Sequence, residues 1–429
     1  MTKVTLVSTM IFFLTVPRLW ATTGQEPHPP TNLEIPFLDR DAMGARWTAM
    51  GGASMAAVDD GSAIVNNPAG LAKIRRIEVL GTIQKQSLDV DATWFGTKTS
   101  RSLSSTTMRD LAFSFPFPTY RGSIVIAGSV FRRNILDGYT LRRGTNPDGG
   151  VPYRDSEERS GLLTGWSGGV ALQVSPEAFV GFEAHGFSGK FNETDKWDPW
   201  GSCADVVFSS STDLGGYGAS IGMQYEPSPL LGIGAVIKTP QRITLKGDLE
   251  LPDWDDGKQD CIQRLYSVDD TATLPYSMGF GLALMPRNLL VTFDLVYTDW
   301  QELKYPGPTR DYDPVEKANT GDYIYKATTD LRAGVEYALS AYPVRFRAGY
   351  ARVPLELNWF EVTKDRTSIS LGAGAVVESA LTFDVAWQRT SFEREFTWPR
   401  TPFDPESPVD KYSEMRTNDR LILTLAYRF

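Results

Sequence analysis

Four cations are the residues best placed to do chemistry. Lys238, Arg332, Arg345 and Arg347 lie on the polar side of alternating segments. A cation held in a partly dry enclosure orients an anionic head group through charge-assisted hydrogen bonds. Glu183, Asp294, Glu336 and Asp384 fall on the same side and offer the cations another fate, as rungs of internal Arg–carboxylate ladders. A second set is aromatic. Phe191, Trp197, Trp200 and Phe208 fall in one long connection, and Leu249, Leu251, Trp254, Leu265 and Tyr266 in the next. Exposed apolar side chains at this density either form a landing groove for a greasy solute or pack on one another.

Catalytic and metal chemistry find little support. The histidines number two, His28 and His185, and no motif fixes a serine and an acid around either. His185 reads as a wall residue. Cys203 and Cys261 are the only thiols, too few for a structural zinc site. Each falls in one of the two aromatic-rich connections, and a disulfide between them is expected at an oxidising surface. No enzyme activity, cofactor or metal is expected.

Composition narrows the partners. The chain has 52 acidic and 43 basic residues and a formal charge of −9. No basic block stands out to grip phosphates, so nucleic acid is excluded. Residues 1–21 read as an export signal: Lys3, an apolar run from Val4 to Val16, and a cleavage site after Ala21. That run is too short for a spanning helix, and nothing later supplies the roughly 18 uninterrupted apolar residues one needs.

The elements that carry these side chains have period two. In "LLVTFDLVYTDW", Leu289, Val291, Phe293, Leu295 and Tyr297 share one face, with Thr292, Asp294 and Thr298 opposite. "VRFRAGY" sets Val344, Phe346, Ala348 and Tyr350 against Arg345, Arg347 and Gly349, and "LTFDVAWQ" and "FVGFEAHG" alternate in the same way. We count fourteen such segments, centred near 80, 113, 127, 168, 183, 220, 234, 280, 294, 334, 348, 372, 385 and 424. Short links ("PTYR", "SPEA", "EPSP", "PRN", "SAY", "ESA") alternate with long ones. An even strand count with short turns on one side and long loops on the other is the signature of a transmembrane β-barrel. A soluble sandwich would also alternate, but the polar faces here are too hydrophilic for a sandwich core. The last strand, "LILTLAYRF", ends on Phe429 and must pair with the first so that no edge faces lipid.

The segment "GARWTAMGGASMAAVDDGSAIVNNPAGL", residues 44–71, shows no sustained period and little bulk. A fourteen-stranded barrel encloses a lumen wide enough to leak. Residues 22–75 are therefore expected to form an N-terminal plug, with the barrel itself at 76–429. Asp59 and Asp60 are expected either to pair with lumenal arginines or to remain ordinary solvated acids.

This segment, with Asn67-Pro68-Ala69, resembles the N-terminal hatch of the long-chain fatty-acid transporter family (FadL/TodX). "GYGASIGMQYEPSPLLGIGAVIKTP", "LPYSMGFGLALMPRNLLVTFDLVYTDWQEL", "LRAGVEY…FRAGYARVP" and the terminal Phe429 are similar to further family pieces in the same order. The resemblance implies an all-β, 14-stranded antiparallel transmembrane barrel in the bacterial outer membrane, with a hatch in the lumen. It implies uptake of hydrophobic small molecules, such as long-chain fatty acids or aromatic hydrocarbons. Such solutes would be caught by the loops, bound in the lumen and released laterally beside a kinked strand once the hatch shifts. It favours Lys238, in "IKTP", among the cations, and casts Asn67, Pro68 and Ala69 as hatch elements; a plain turn is the other reading of those three. The third strand, at Gly128-Ser129, is the expected kink. The implied partners are the solute, outer-membrane lipid and lipopolysaccharide, and the barrel assembly machinery through Phe429, with the chain a monomer. Two rival functions remain: a non-transporting barrel that serves as a partner in protein secretion, and an open hydrophilic porin.

Overall fold

The computed structural model describes residues 42–94, 96–133, 138–145, 152–197, 206–255, 260–304, 325–356, 362–399 and 409–429. Strand β1 is Glu78–Trp94, β2 Thr97–Phe117, β3 Ile124–Arg133 with Gly138–Thr145, β4 Pro152–Ser175 and β5 Ala178–Trp197. They are followed by β6 Val206–Ser228, β7 Leu231–Lys238 with Gln241–Asp255, and β8 Asp260–Leu274 with Ser277–Leu284. The last six are β9 Leu289–Thr298, β10 Thr328–Ala338, β11 Val344–Val353, β12 Val362–Val377, β13 Leu381–Pro399 and β14 Val409–Arg428. β3, β7 and β8 each come in two pieces that pair with the same neighbour, as when both halves of β7 lie along β6.

Every neighbouring pair is antiparallel, and β14 returns to β1 with Glu78 opposite Arg428 and Thr93 opposite Ser413. The sheet is thus a closed barrel of fourteen strands, each containing one of the positions the alternation marks, though the longer strands extend well to one side of it. Among the described residues β2 pairs with the first piece of β3 only, from Asp110 opposite Phe131 to Phe117 opposite Ile124, and the second piece, Gly138–Thr145, pairs with β4. No described helix is long and apolar enough to cross a membrane.

The outward residues expected from the sequence do face outward. Phe293, Leu295, Phe346, Trp387 and Leu425 are exposed, while Thr292, Asp294, Arg347, Asp384 and Thr424 between them are buried. Exposed Phe and Leu with buried Asp and Arg invert the rule for water-soluble proteins. They fit a wall with hydrocarbon outside and polar groups within.

The strands are longer than a bilayer requires. β4 has 24 residues, against the roughly 9–11 that cross the hydrocarbon. Several stretches expected as loops are therefore strand. Phe191 and Trp197 belong to β5, Phe208 to β6, Leu249, Leu251 and Trp254 to β7, and Cys261, Leu265 and Tyr266 to β8. The physical reason is that the ladder keeps satisfying backbone groups beyond the lipid, so pairing continues wherever both neighbours extend.

Beyond the lipid band the sides exchange character. On β1 the outward residues change from Ile83 to Lys85, Asp89 and Asp91, while Val90, Ala92 and Trp94 are buried inside. On β5, Ser188, Lys190 and Asn192 face out, and Phe187 and Phe191 are buried. Leu163, Leu214, Ile243, Leu245 and Leu274 add to this inner apolar layer at the long-loop end.

Candidate functional site

Residues 42–76 make two short helices, α1 Ala45–Ala49 and α2 Ala63–Asn66, and a 3-10 turn at Pro68–Lys73. These pieces are too short to hold themselves together; their backbone groups bond to inward-facing residues of the strands. Ala45 N–H donates to Thr424 Oγ1 on β14 at 2.8 Å. Ser54 and Met55 N–H both donate to Asp294 Oδ2 on β9, at 2.7 and 3.0 Å. Gly61 N–H donates to Glu78 on β1 at 2.5 Å, and Glu78 in turn receives Arg428 Nε. On β6, Gln224 Nε2 donates to the carbonyls of Met55 and Val58 at 3.0 and 3.2 Å.

Asn67 is fully buried and bonds in three directions. Its amide donates to the Met55 carbonyl at 2.7 Å and to the Met223 carbonyl of β6 at 3.1 Å, and its Oδ1 accepts from Ala69 N–H. Proline follows at the first position of the 3-10 turn, where the missing N–H costs nothing. The wall is cut back to receive this corner. A Cβ at Gly222 would collide with the Asn67 amide, and one at Gly349 with the backbone of Gly51.

Charge continues the anchorage. Arg46 donates to Glu336 on β10 at 3.0 Å and to Asp59 at 2.6 Å. Asp59 thus pairs with an arginine of its own segment, and the wall is reached through Glu336. Burial opposes ionisation of Asp59, but Arg46 and Lys73 outweigh it and hold its carboxyl below the usual range. Asp60 accepts from Trp47 Nε1 and Ser62 N–H, and burial reinforced by Glu78 pushes it up to about 6. A bulge opposite Thr82/Ile83 on β1 turns both Arg109 and Asp110 of β2 inward, so that Arg109 reaches the Ala42 carbonyl at 3.0 Å.

The four candidate cations part company. Arg347 is sealed between Glu336 and Asp384, at 2.6 Å from each, and Arg345 contacts Glu336 at 3.4 Å. Both belong to the network that holds Arg46. Lys238 and Arg332 instead line a cavity of about 120 Å³ between the segment and the wall. Ser54, Met55 and Asn66 form its segment side; Thr239, Gln241, Leu274, Pro275, Trp300 and Asp330 contribute from the barrel. Arg332 is 3.3 Å from Asp330, and Trp300 Nε1 donates to Thr328 at 3.1 Å. The cavity therefore combines apolar side chains such as Met55 and Leu274 with cations and hydrogen-bonding groups.

His185 Nδ1 meets Glu183 at 3.0 Å, and Ser220 Oγ donates to the same carboxylate. Ser220 and His185 thus meet at the same carboxylate. Trp200 and Cys203 lie outside the described residues, as do the side chains of Trp197, Trp254 and Cys261, the expected export signal at 1–21, and residues 22–41. The Cys203–Cys261 pairing accordingly lies outside them as well. At the expected kink, Gly128 and Ser129 are paired on both sides, with Phe113 and Ala112 of β2 and with Gly168 and Ser167 of β4.

Sequence reasoning did not find Arg46, Arg109, Gln224, Thr239, Gln241 or Asp330. Most carry no signal, since a glutamine on a polar face looks like any other wall residue. Pro240 and Pro275 did carry one, because proline inside a strand marks an interruption.

No protein-family model and no curated protein sequence matches the chain. Solved structures do. A FadL homologue of Pseudomonas aeruginosa aligns over 91% of this chain and 98% of its own, with TM-score 0.61 and 15% identity. The toluene transporter TodX of P. putida covers 91% and 99%, with TM-score 0.65 and 13% identity. The toluene transporter TbuX of Ralstonia pickettii covers 91% and 99%, with TM-score 0.62 and 14% identity. At these identities the likeness is one of fold, and it extends over nearly the whole barrel.

Proposed function

We propose that this chain carries hydrophobic small molecules across the bacterial outer membrane. The observation that carries the reading is the cavity at Lys238 and Arg332, built jointly by the wall and the N-terminal segment. A site sharing a wall with that segment couples occupancy to the segment's position. We take residues 42–75 as a plug, its contacts with β1, β2, β6, β9, β10 and β14 being what keeps it in the barrel. The structural neighbours described as toluene transporters and a FadL homologue support the same class of cargo. A greasy solute gains nothing from a water-filled exit, so a path ending in lipid is the physically favoured one. Lys238 and Arg332 would hold an acidic head group where the cargo has one, while Arg345 and Arg347 hold the plug. Aromatic residues toward the long loops, Trp197, Trp200 and Trp254, are the proposed first contact, and a Cys203–Cys261 bridge would tie that region together. Phe429, exposed beside Tyr427 at the end of β14, is the proposed recognition point for barrel assembly.

The test is uptake by cells lacking their own carriers, with a long-chain alkyl carboxylate and toluene as probes, set beside planar-bilayer conductance. Expected are saturable uptake of at least one probe and no large steady current. Gly222→Val, which pushes against Asn67, should raise conductance. A wild-type protein with large steady currents and no saturable uptake would be a porin, and one that passes neither ions nor probe would favour the secretion-partner reading.

A further inference from the structure

The cavity is layered, and its layers match one kind of solute. Pairing across five strands, β6 to β10, puts Ser220, Lys238, Ser277, Thr298 and Thr328 on a single inward rung. All but Lys238 are hydroxyl residues. The next inward rung toward the short turns reads Gly222, Val236, Gly279, Val296 and Asp330. Lys238, Ser277 and Thr298 of the first rung line the cavity, as do Val236, Gly279 and Val296 of the second. Met55 fills the place beside Gly279, where a Cβ would meet its Sδ and Cε. On the long-loop side Leu274, Pro275 and Trp300 complete the lining, and the Trp300 indole N–H donates to Thr328 at 3.1 Å. A band of hydroxyls thus runs between two apolar layers.

Charge around this space is balanced. Arg332 is 3.3 Å from Asp330 and stands opposite Asp294 in the β9–β10 ladder. Asp294 also receives the N–H groups of Ser54 and Met55, both of which line the cavity. Lys238 and Arg332 are therefore matched by two carboxylates, and an entering carboxylate would be a third acid beside two cations. A hydrocarbon meets a different obstacle. It takes water from the hydroxyl band and from the Lys238 ammonium and returns no hydrogen bond. Size sets the last limit. The cavity measures about 120 Å³, of the same order as the roughly 150 Å³ engineered cavity that takes up benzene. It holds about one ring and is too small for a long alkyl chain.

We propose that the cavity selects a neutral, hydroxylated single-ring solute of the class of phenol, over both a hydrocarbon ring and an alkyl carboxylate. The inference rests on the transport reading above and narrows its cargo. The ring lies against Val236, Val296 and Met55, and its hydroxyl exchanges hydrogen bonds with Ser277 and Thr298. Each of these side chains offers one donor and two acceptor positions, so a neutral O–H is matched without importing charge. A site that bonds a substrate hydroxyl rejects the analogue lacking it far more strongly than an apolar pocket discriminates by size. Ser277 and Thr298 are accordingly the residues that set specificity.

Phenol and toluene exchange an O–H for a methyl group of similar size, so the pair isolates the hydroxyl. Binding of phenol, toluene, benzoate and a long-chain alkyl carboxylate to the purified chain in detergent is measured by calorimetry near pH 7. There the phenol is neutral and both carboxylates are ionised; titration into protein-free micelles sets the background. Phenol should bind at least tenfold more tightly than each of the other three. Ser277→Ala with Thr298→Val removes both hydroxyls at nearly constant shape, and should weaken phenol at least tenfold while tightening toluene. That reversal of order is one that general loosening of the barrel does not produce. Thr298→Ser, which keeps the hydroxyl, should preserve the wild-type order, and a reversed order there counts against the proposal. Wild-type protein that binds toluene or either carboxylate as tightly as phenol, or binds none of the four, overturns the inference. So does a double variant that retains the wild-type order. Uptake of the same probes by the carrier-deficient cells separates the two readings. Saturable uptake with the wrong binding order leaves transport standing without this selectivity, whereas the expected order with no uptake leaves a selective site and removes the transport reading.

Discussion

The two ends of the barrel solve opposite problems with one ladder. Toward the short turns the outside is Phe, Leu and Ile, and the inside is glycine, hydroxyl and charge. That interior has to receive a segment whose small helices leave many backbone groups bare, so Asp294, Glu78, Thr424 and Gln224 supply the partners. Toward the long loops the outside is Lys, Asp and Ser, and the inside holds Val90, Trp94, Leu163, Phe191 and Leu245. There water surrounds the wall, and ordinary hydrophobic burial holds the strands together. The lesson is that facing is fixed by the pleat, but which face is greasy depends on the solvent at that height. Between the two regimes lies the cavity, beside the residues where the inward side of β7 passes from Val236 to Ile243.

The largest expected effect comes from emptying the inner apolar layer. Phe191→Ala should cost about 3–5 kcal/mol, read as faster hydrogen exchange in the long-loop halves of β4, β5 and β6, with the lipid band still protected. Loss of protection throughout would mean that the two ends are one cooperative unit. Next comes the lipid face: Phe293→Arg should cost about 2–4 kcal/mol near the bilayer midplane, measured by denaturant unfolding in vesicles. Lys190→Leu, outward on β5 beyond the band, should leave that free energy nearly unchanged; equal costs for the two would erase the distinction drawn above.

The smallest effect is a pH dependence of the N-terminal segment. Asp60 stands at about 6, above the roughly 3.9 of an unfolded chain. The packed state therefore binds more protons than the released one between these values. Stability from this group is greatest below about pH 4 and declines as pH rises to about 6. Protease sensitivity of the segment in detergent should rise over that window and level off above it, and Asp60→Asn should flatten the profile. A segment equally resistant across the window in the wild type would show that Asp60 is not the group that loosens it.

Period two was enough to find all fourteen strands and to orient Phe293, Arg347 and Asp384, because alternation is a one-dimensional property set by the pleat. The small-residue stretch at 44–71 was likewise visible, as was its Asn67-Pro68-Ala69 corner. Strand length was not visible, since polar-out, apolar-in extensions such as Phe187–Asn192 read as aromatic loops until their neighbours are seen to extend alongside.

The pairing of charges also needed three dimensions. By alternation Lys238, Arg332, Arg345 and Arg347 are all inward cations, with Lys238 favoured only by the family resemblance; closure of the barrel and the seating of Arg46 separate two that anchor from two that line the cavity. The prolines at 240 and 275 announce two interruptions in the sequence. That the interruptions face each other is decided only when two strands 35 residues apart come into register. Local chemistry fixes which way each side chain points; what it meets there depends on chain closure, which no local window contains.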